Sequence, residues 1–147
     1  MTTIVFDGKT VAADTLAVDH YGLRSTFHKI IENKEWLAGL AGDLASSVKW
    51  EKATRGMTLD EVLDYGYPTW VKDTDDPAML LIERETGTIW KHYTGVFCAH
   101  HGVTHAIGSG RDYALAAMYL GKNAKEAVQV AAHFDNYTGS NIDEVAL

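Results

Sequence analysis

Thr2 places a hydroxyl group directly behind the first methionine, in the opening Met1-Thr2-Thr3-Ile4-Val5. Its small side chain should permit removal of Met1, which would leave Thr2 with a free α-amine. The reference pKa of such an amine is roughly 7.7–8.0, so a useful fraction is neutral and basic at cellular pH. A hydroxyl nucleophile and a base would then share one residue. Many chains begin Met-Thr-Thr without any such role, so the rest of the sequence must decide.

Asp14 and Lys29 lie near the ends of neighbouring predicted strands. A lysine ammonium beside a carboxylate at that place would lower the pKa of a nearby hydroxyl or amine. A partly buried salt bridge without a chemical role would produce the same pattern, because structural ion pairs also perturb pKa values. Both interpretations stay open at this point.

Two glycine-containing turns join predicted strands to predicted helices. In Ala41-Gly42-Asp43, the N–H of Gly42 could serve as an oxyanion donor, or the segment could be only a tight turn. In Gly108-Ser109-Gly110, Tyr113 stands where a dinucleotide-binding fingerprint needs its third glycine, and the spacing of a nucleophile elbow is absent. Ser109 could therefore be an ordinary helix N-cap, with or without a role in a site.

A zinc site is the least favoured of the candidate sites. Its possible ligands, Cys98, His100, His101 and His105, match no standard zinc-ligand spacing. Alternation along an extended segment would also split their side chains between two faces. Surface or core positions are the expected roles of these four residues.

Composition limits the class of protein. The 147 residues predict a single domain, 1–147, and 46% hydrophobic and 22% charged residues are typical of a globular protein. A net charge of −7 argues against nucleic acid as a partner. No apolar run is long enough to span a membrane, and no signal peptide is recognisable. With one cysteine, Cys98, these features predict a cytoplasmic protein.

An N-terminal hairpin is predicted from two apolar segments, 3–6 and 10–13, that flank Asp7-Gly8. Its register brings Asp14 close to Thr2. After this hairpin we predict a loop over 16–23 with a bend at 20–22, and then strands over 25–31 and 36–41 about a turn at 32–34. A helix over 44–53 capped by Asp43, a short helix from Thr58 that Pro68 stops, and a loop over 72–77 follow. The rest is predicted as strands over 78–82 and 88–93, an extended stretch over 96–105 bent at Gly102, helices over 111–120 and 124–132, a turn over 135–141 and a short final strand.

Strand pairs that alternate with helix pairs favour antiparallel sheets covered by helices over a parallel sheet. Two packed sheets with a helix pair on each outer face would bury every apolar face. We expect aromatic side chains to pack the first helix pair on its sheet, namely Trp50, Tyr65, Tyr67 and Trp70.

Six segments, in order along nearly the whole chain, resemble the proteasome β-subunit and HslV family of N-terminal nucleophile hydrolases. They are Thr2-Thr3-Ile4-Val5, Val11-Ala12-Ala13-Asp14, His28-Lys29-Ile30, Ala38-Gly39-Leu40-Ala41-Gly42, Ala106-Ile107-Gly108-Ser109-Gly110 with Tyr113-Ala114, and Asp135-Asn136-Tyr137-Thr138-Gly139. The resemblance implies an α+β fold, a four-layer αββα sandwich.

The same resemblance implies a role for each site residue. Thr2 would be the nucleophile and, through its amine, the general base; Lys29 would lower the pKa of both groups, and Asp14 would orient Lys29. The N–H of Gly42 would hold the oxyanion. Three further residues would position the amine by hydrogen bonds, namely Ser109, Asp135 and Thr138. Leu40 and Val18 would line the substrate pocket.

The family further implies ligands and partners. No cofactor is required, but backbone oxygens of Ala132, Asp135 and Thr138 can hold a sodium ion in HslV-like members. A homo-oligomeric ring of hexamer or heptamer type, polypeptide substrates and an AAA+ ATPase unfoldase would be the partners. The chain departs from the family in its short 43–77 region, which leaves ring size and ATPase docking open, and in Asp43, which stands where glycine is common.

The sequence thus favours a threonine-type endopeptidase that forms an acyl-enzyme on Thr2 inside a self-compartmentalising ring. Two alternatives stay open. One is an N-terminal nucleophile amidohydrolase that acts on a small amide, and the other is a catalytically inactive ring or scaffold subunit with the same fold.

Overall fold

The computed structural model describes residues 2–66, 79–93 and 96–147, with the backbone alone at Tyr93. The strands and helices within them are, in chain order, β1 (Thr3–Phe6), β2 (Thr10–Asp14), β3 (Leu16–Val18), β4 (Arg24–Thr26), β5 (Ile30–Glu32), β6 (Trp36–Leu40), α1 (Leu44–Thr54), α2 (Leu59–Tyr65), β7 (Met79–Glu83), β8 (Ile89–Tyr93), β9 (Val96–His100), β10 (His105–Gly108), α3 (Arg111–Tyr119), α4 (Ala124–Phe134) and β11 (Ile142–Ala146). None of these helices is long and apolar enough to cross a membrane.

The N-terminal hairpin forms as predicted and lies at the centre of one sheet. Asp7 shapes its turn, because its Oδ1 accepts the N–H groups of Lys9 and Thr10, each at 2.9 Å. The strand order of this four-stranded antiparallel sheet is β10-β1-β2-β11. Ile4 pairs with Ala13, so the start of β1 lies beside the end of β2.

The second sheet has the order β5-β6-β7-β8-β9, and all its pairings are antiparallel. The prediction of one strand over 25–31 was wrong. The loop predicted over 16–23, with its bend at 20–22, is correct only from residue 19 onward. β3 and β4 form a separate two-stranded sheet, and β5 begins only at Ile30. The segment 25–31 is divided because its two halves pair with different neighbours. The Phe27 N–H donates to the Thr15 carbonyl at 2.8 Å, whereas the Lys29 carbonyl accepts the Leu40 N–H at 2.9 Å.

The extended stretch predicted over 96–105 is likewise two strands in two sheets. β9 pairs with β8, and β10 pairs with β1. Gly102 lies between them with φ of +66°, a conformation that glycine adopts without steric cost. The bend at Gly102 was therefore predicted correctly, but the change of sheet was not.

Three apolar clusters separate four layers. The central cluster joins the inner faces of the two sheets and includes Ile4 and Phe6 from one and Leu80 and Ile82 from the other. A second cluster packs α3 and α4 on the four-stranded sheet, and a third packs α1 and α2 on the five-stranded sheet. This arrangement confirms the predicted α+β class and its αββα order.

Capping residues set the helix starts. The Asp43 side chain accepts the Ser46 N–H, as predicted, and Thr58 accepts that of Glu61.

Trp50 is fully buried and meets Trp36 edge-on, with ring centroids 5.7 Å apart. Tyr65 contradicts the aromatic prediction because it is 41% exposed. The other predicted features of this region, Tyr67, Pro68, Trp70 and the loop 72–77, lie outside the described residues.

Candidate active site

The hairpin register brings the Thr2 and Asp14 side chains into contact. Thr2 Oγ1 donates to Asp14 Oδ1 at 3.0 Å, and Thr3 N–H donates to the same oxygen at 2.9 Å. Both groups are buried, since Thr2 is 1% exposed and Asp14 0%. The hydroxyl of Thr2 therefore has one fixed orientation.

The Asp14 carboxylate is enclosed by donors from four segments of the chain. Its Oδ2 accepts the N–H of Leu16 at 3.2 Å and that of Gly139 at 2.9 Å. Its Oδ1 accepts Lys29 Nζ at 2.9 Å as well as the Thr2 and Thr3 donors. These donors replace the water that the carboxylate loses on burial.

Lys29 completes this group from the other sheet. It precedes β5, and its Nζ donates to both Thr2 Oγ1 and Asp14 Oδ1. Burial lowers the pKa of the Lys29 ammonium, and the charge and hydrogen bond of Asp14 oppose that shift. An ammonium with a lowered pKa, held against the threonine hydroxyl, suits both charge stabilisation and proton transfer.

A second hydrogen-bonded chain surrounds the backbone nitrogen of Thr2. That nitrogen donates to Ser109 Oγ at 3.2 Å, and Ser109 Oγ donates to Asp135 Oδ2 at 2.6 Å. Thr138 Oγ1 donates to the same Oδ2 at 2.7 Å. Burial would raise the pKa of Asp135, but hydrogen bonds from Ser109, Thr138 and the Tyr137 N–H outweigh it and lower that pKa.

Ser109 is not a helix N-cap. Gly110 holds that position in α3 and has no side-chain cap, while the Ser109 hydroxyl is directed to Thr2 and Asp135. The structure therefore brings together five of the predicted site residues around Thr2, namely Asp14, Lys29, Ser109, Asp135 and Thr138.

The predicted oxyanion and pocket residues lie at different depths. Gly42 follows β6 with φ of +101°, which explains the need for glycine there. Leu40 is 3% exposed and packs in the cluster under α1 and α2, whereas Val18 is 41% exposed at the end of β3. Leu40 is thus buried and Val18 accessible, and their role in a substrate pocket stays a prediction.

Sequence reasoning missed two contributors to the site. Thr3 Oγ1 lies 2.7 Å from Thr138 Oγ1, and the Gly139 N–H donates to Asp14. The second hydroxyl in Thr2-Thr3 and the glycine after Thr138 were the available signals. Gly108 packs directly against the Thr2 backbone. Its φ is +97°, and a β-carbon on it would lie 2.7 Å from the carbonyl carbon of Thr2, so a larger residue would not fit there.

Gly110 provides a test of how tightly the site is packed. A β-carbon there would lie 2.9 Å from both Ala131 Cβ and Thr138 Oγ1, and closer still to Thr3 Oγ1. We expect Gly110→Ala to lower the free energy of unfolding by about 1–3 kcal/mol in a urea titration. The control is Gly56→Ala, where a β-carbon meets nothing within 4 Å. Equal effects of the two substitutions would contradict the close packing.

The backbone oxygens expected to bind sodium lie at the end of α4 and in the turn after it. The Ala132 carbonyl belongs to the last turn of the helix, where carbonyls lack intrahelical partners. The Asp135 carbonyl accepts the Thr138 N–H at 3.1 Å and retains a second lone pair. Oxygen donors of this kind fit a hard monovalent cation.

The histidine-rich segment does not form a metal site in the described part of the chain, where no group of three or more potential ligands is close enough to hold an ion. Cys98 is exposed, and His101 Nδ1 lies 3.0 Å from Thr88 Oγ1. His105 belongs to β10, opposite Phe6. These positions are consistent with surface and core roles.

His105 predicts a loss of stability in acid. Burial, followed by the charges of Lys91 and His100, lowers its pKa from 6.5 to about 4. In the unfolded chain His105 binds a proton as the pH falls through 6.5, whereas in the folded chain it does so only near pH 4. The free energy of unfolding therefore decreases as the pH falls from 6.5 to about 4. We expect His105→Gln to flatten the pH dependence of the urea midpoint there. An unchanged slope in His105→Gln would refute the prediction.

The four layers define an α+β fold of the αββα type. Comparison with known proteins shows which solved structures share it. No protein-family model and no curated protein sequence matches the chain. Among solved structures, Thiobacillus denitrificans BPH in complex with epoxomicin matches with a TM-score of 0.71 and 21% identity, over 99% of this chain and 97% of that one. BPH alone matches with 0.70 and 21%, over 99% and 96%.

HslV from Trypanosoma brucei matches with a TM-score of 0.67 and 18% identity, over 99% of this chain and 98% of that one. The chain therefore has the proteasome β-subunit and HslV fold of N-terminal nucleophile hydrolases. The resemblance found in the sequence is confirmed at the level of the fold.

Proposed function

We propose that this protein is a threonine-type endopeptidase subunit in which Thr2, freed of Met1, attacks a peptide carbonyl. The observation that carries the proposal is the enclosure of both reactive atoms of one residue. Lys29 and Asp14 hold the Thr2 hydroxyl, while Ser109 holds the Thr2 nitrogen. A hydroxyl and a nitrogen of one residue, each held by hydrogen bonds, support a nucleophile and base on Thr2 once Met1 is removed.

In the first step, the neutral Thr2 amine takes the proton of Oγ1 as Oγ1 bonds to the substrate carbonyl carbon. The Lys29 ammonium stabilises the charge that develops on Oγ1. Asp14 keeps Lys29 in place, and Ser109 with Asp135 keeps the amine in place. These four side chains thus have roles in positioning or charge.

The carbonyl oxygen of the substrate becomes an oxyanion, which the Gly42 N–H is proposed to hold. The C–N bond then breaks, and the protonated Thr2 amine gives its proton to the leaving amine. An ester on Thr2 Oγ1 remains. A water molecule, deprotonated by the same amine, hydrolyses this ester and restores the hydroxyl.

A sodium ion held by backbone oxygens of Ala132, Asp135 and Thr138 would brace the turn that carries the last two residues. It would supply only positive charge beside the Asp135 carboxylate. No catalytic step requires it.

We also propose that the protein acts as a homo-oligomeric ring in the cytoplasm, on polypeptides, with an AAA+ unfoldase as a further candidate partner. Support comes from the ring-forming family that the sequence resembles and from apolar side chains left exposed on and after α3 and α4. These include Tyr113, Tyr119, Leu120, Phe134 and Tyr137. Burial of such surface between copies would stabilise assembly.

Mass spectrometry of the purified protein tests the first requirement. We expect an intact mass lower by one methionine residue, because the Thr2 amine must be free to act as the base. Under native conditions the same measurement would give the number of subunits. A chain that keeps Met1 and still cleaves peptides would refute the proposed general base.

An epoxyketone such as epoxomicin tests the nucleophile, since it offers one electrophilic carbon to a hydroxyl and another to an amine. We expect stoichiometric addition at Thr2, and a panel of peptides and small amides would show which class is hydrolysed. An unlabelled protein would favour an inactive ring or scaffold subunit. Labelling with activity on small amides alone would favour an amidohydrolase.

A further inference from the structure

A polar cleft of about 380 Å³ opens beside the proposed active site. One wall is the β3–β4 hairpin, and the other is the turn that follows α4. Hydroxyl and amide side chains dominate the lining, among them Thr15, Ser25, Thr26, Asn136, Ser140 and Asn141. Among the described residues that line it, Arg24 is the only charged one.

The Arg24 guanidinium is available to a ligand. Arg24 lies exposed on β4 and makes no side-chain hydrogen bond or ion pair within the described part of the chain. A guanidinium presents five N–H donors in a planar fork that matches a carboxylate with two parallel hydrogen bonds. Hydroxyl groups around it add donors for the same anion.

The cleft adjoins the hydrogen-bonded network around Thr2. Its lining includes Leu16 and Gly139, whose N–H groups both donate to Asp14 Oδ2. It also includes Thr138, whose hydroxyl donates to Asp135 and lies 2.7 Å from Thr3 Oγ1. A ligand in the cleft would therefore lie one layer of side chains from the proposed nucleophile.

A second cavity of about 390 Å³ extends the cleft along the same wall, since both are lined by Thr15 and Thr26. The polar side chains there contact one another. His28 Nδ1 lies 2.6 Å from Asp143 Oδ2, and Lys125 Nζ lies 3.9 Å from Glu144 Oε2. Along this combined groove, Arg24 has no side-chain hydrogen bond or ion pair with any described residue.

We propose that Arg24 binds a carboxylate of the substrate, so that the protein selects acidic peptides. This inference rests on the proposed peptidase function. The carboxylate can be a glutamate or aspartate side chain, or the C-terminus of the peptide. A chain with a net charge of −7 repels acidic ligands at long range, so a local cation is needed to admit them.

Four peptides of one cleavable sequence separate the two sources of the carboxylate. They carry Glu or Gln at a scanned position, and a free or an amidated C-terminus. We expect kcat/KM for one acidic form to exceed that for its neutral counterpart by roughly ten- to a hundredfold. Arg24→Gln should abolish this ratio, and Arg24→Glu should favour a Lys peptide. The control, Lys122→Gln, removes an exposed cation outside the cleft and should keep the ratio.

A binding experiment separates failure of this inference from failure of the peptidase proposal. In the Thr2→Ala protein, the Arg24 side-chain N–H signal is followed by NMR during titration with N-acetyl-glutamate amide, N-acetyl-glutamine amide and glutarate. We expect saturable shifts with the two carboxylates and none with the glutamine derivative. Equal responses to all three, or an acidic preference that survives Arg24→Gln, would overturn the proposal whether or not Thr2 is catalytic.

Discussion

Thr2→Ala is expected to abolish peptide hydrolysis while the chain still folds and assembles. The substitution removes the only proposed nucleophile, so we expect kcat to fall by at least roughly 10⁴-fold, the scale seen when a nucleophile is deleted. It also removes the hydroxyl that bonds Asp14 and Lys29. That loss should cost only about 1–2 kcal/mol of the free energy of unfolding, since the Lys29–Asp14 ion pair remains.

The matched control is Thr2→Ser, which keeps a hydroxyl and an α-amine on the same residue. It should retain measurable hydrolysis and epoxyketone labelling, whereas Thr2→Ala should show neither. Rates are measured with a fluorogenic peptide, and folding by circular dichroism and native mass. Hydrolysis by purified Thr2→Ala protein at the wild-type rate would rule out the proposed mechanism.

Lys29→Met should damage both stability and activity. Lys29 is 6% exposed and pairs with Asp14, which is 0% exposed, so the substitution leaves a buried carboxylate without its cation. Removal of one partner of such a pair typically costs about 3–5 kcal/mol. Activity should fall by roughly 10³-fold, because the ammonium no longer stabilises charge on Thr2 Oγ1. Urea unfolding and peptide hydrolysis measure the two effects.

The double variant Lys29→Met with Asp14→Asn separates these effects. It removes both charges, so much of the stability lost in Lys29→Met should return, while activity should stay absent. Lys91→Met is the control, because it removes a lysine on β8 that lies outside the network around Thr2. Recovery of activity together with stability in the double variant would show that Lys29 has only a structural role.

Local chemistry accounts for the parts of the fold that the sequence predicted. The β1–β2 hairpin depends on Asp7-Gly8 and its flanking apolar residues, and its register alone places Asp14 beside Thr2. The start of α1 depends on a side-chain cap from Asp43, which is likewise a contact between near neighbours. Such features are decided within a few residues of chain, so pattern and spacing suffice to predict them.

The errors lie where the chain changes its partner. The segment 25–31 has continuous strand character, yet it is divided between the β3–β4 pair and the five-stranded sheet. The stretch 96–105 is divided in the same way at Gly102. Strand propensity does not encode which neighbour a strand will pair with, because that choice depends on packing between distant segments.

In the candidate site, too, some features follow from the sequence and others only from the packing of distant segments. The sequence by itself determined the reactive groups: a threonine behind Met1, an aspartate at a hairpin end, and a lysine, serine and second aspartate in segments that resemble one family. Only the tertiary structure decided that Ser109 bonds Thr2 and Asp135 rather than capping a helix, that Thr3 and Gly139 join the network, and that Arg24 faces a polar cleft. Three of these contacts, Thr2–Ser109, Thr3–Thr138 and Asp14–Gly139, join residues more than 100 positions apart. Sequence patterns carry no information about distances between such residues until the sheets and helices have packed.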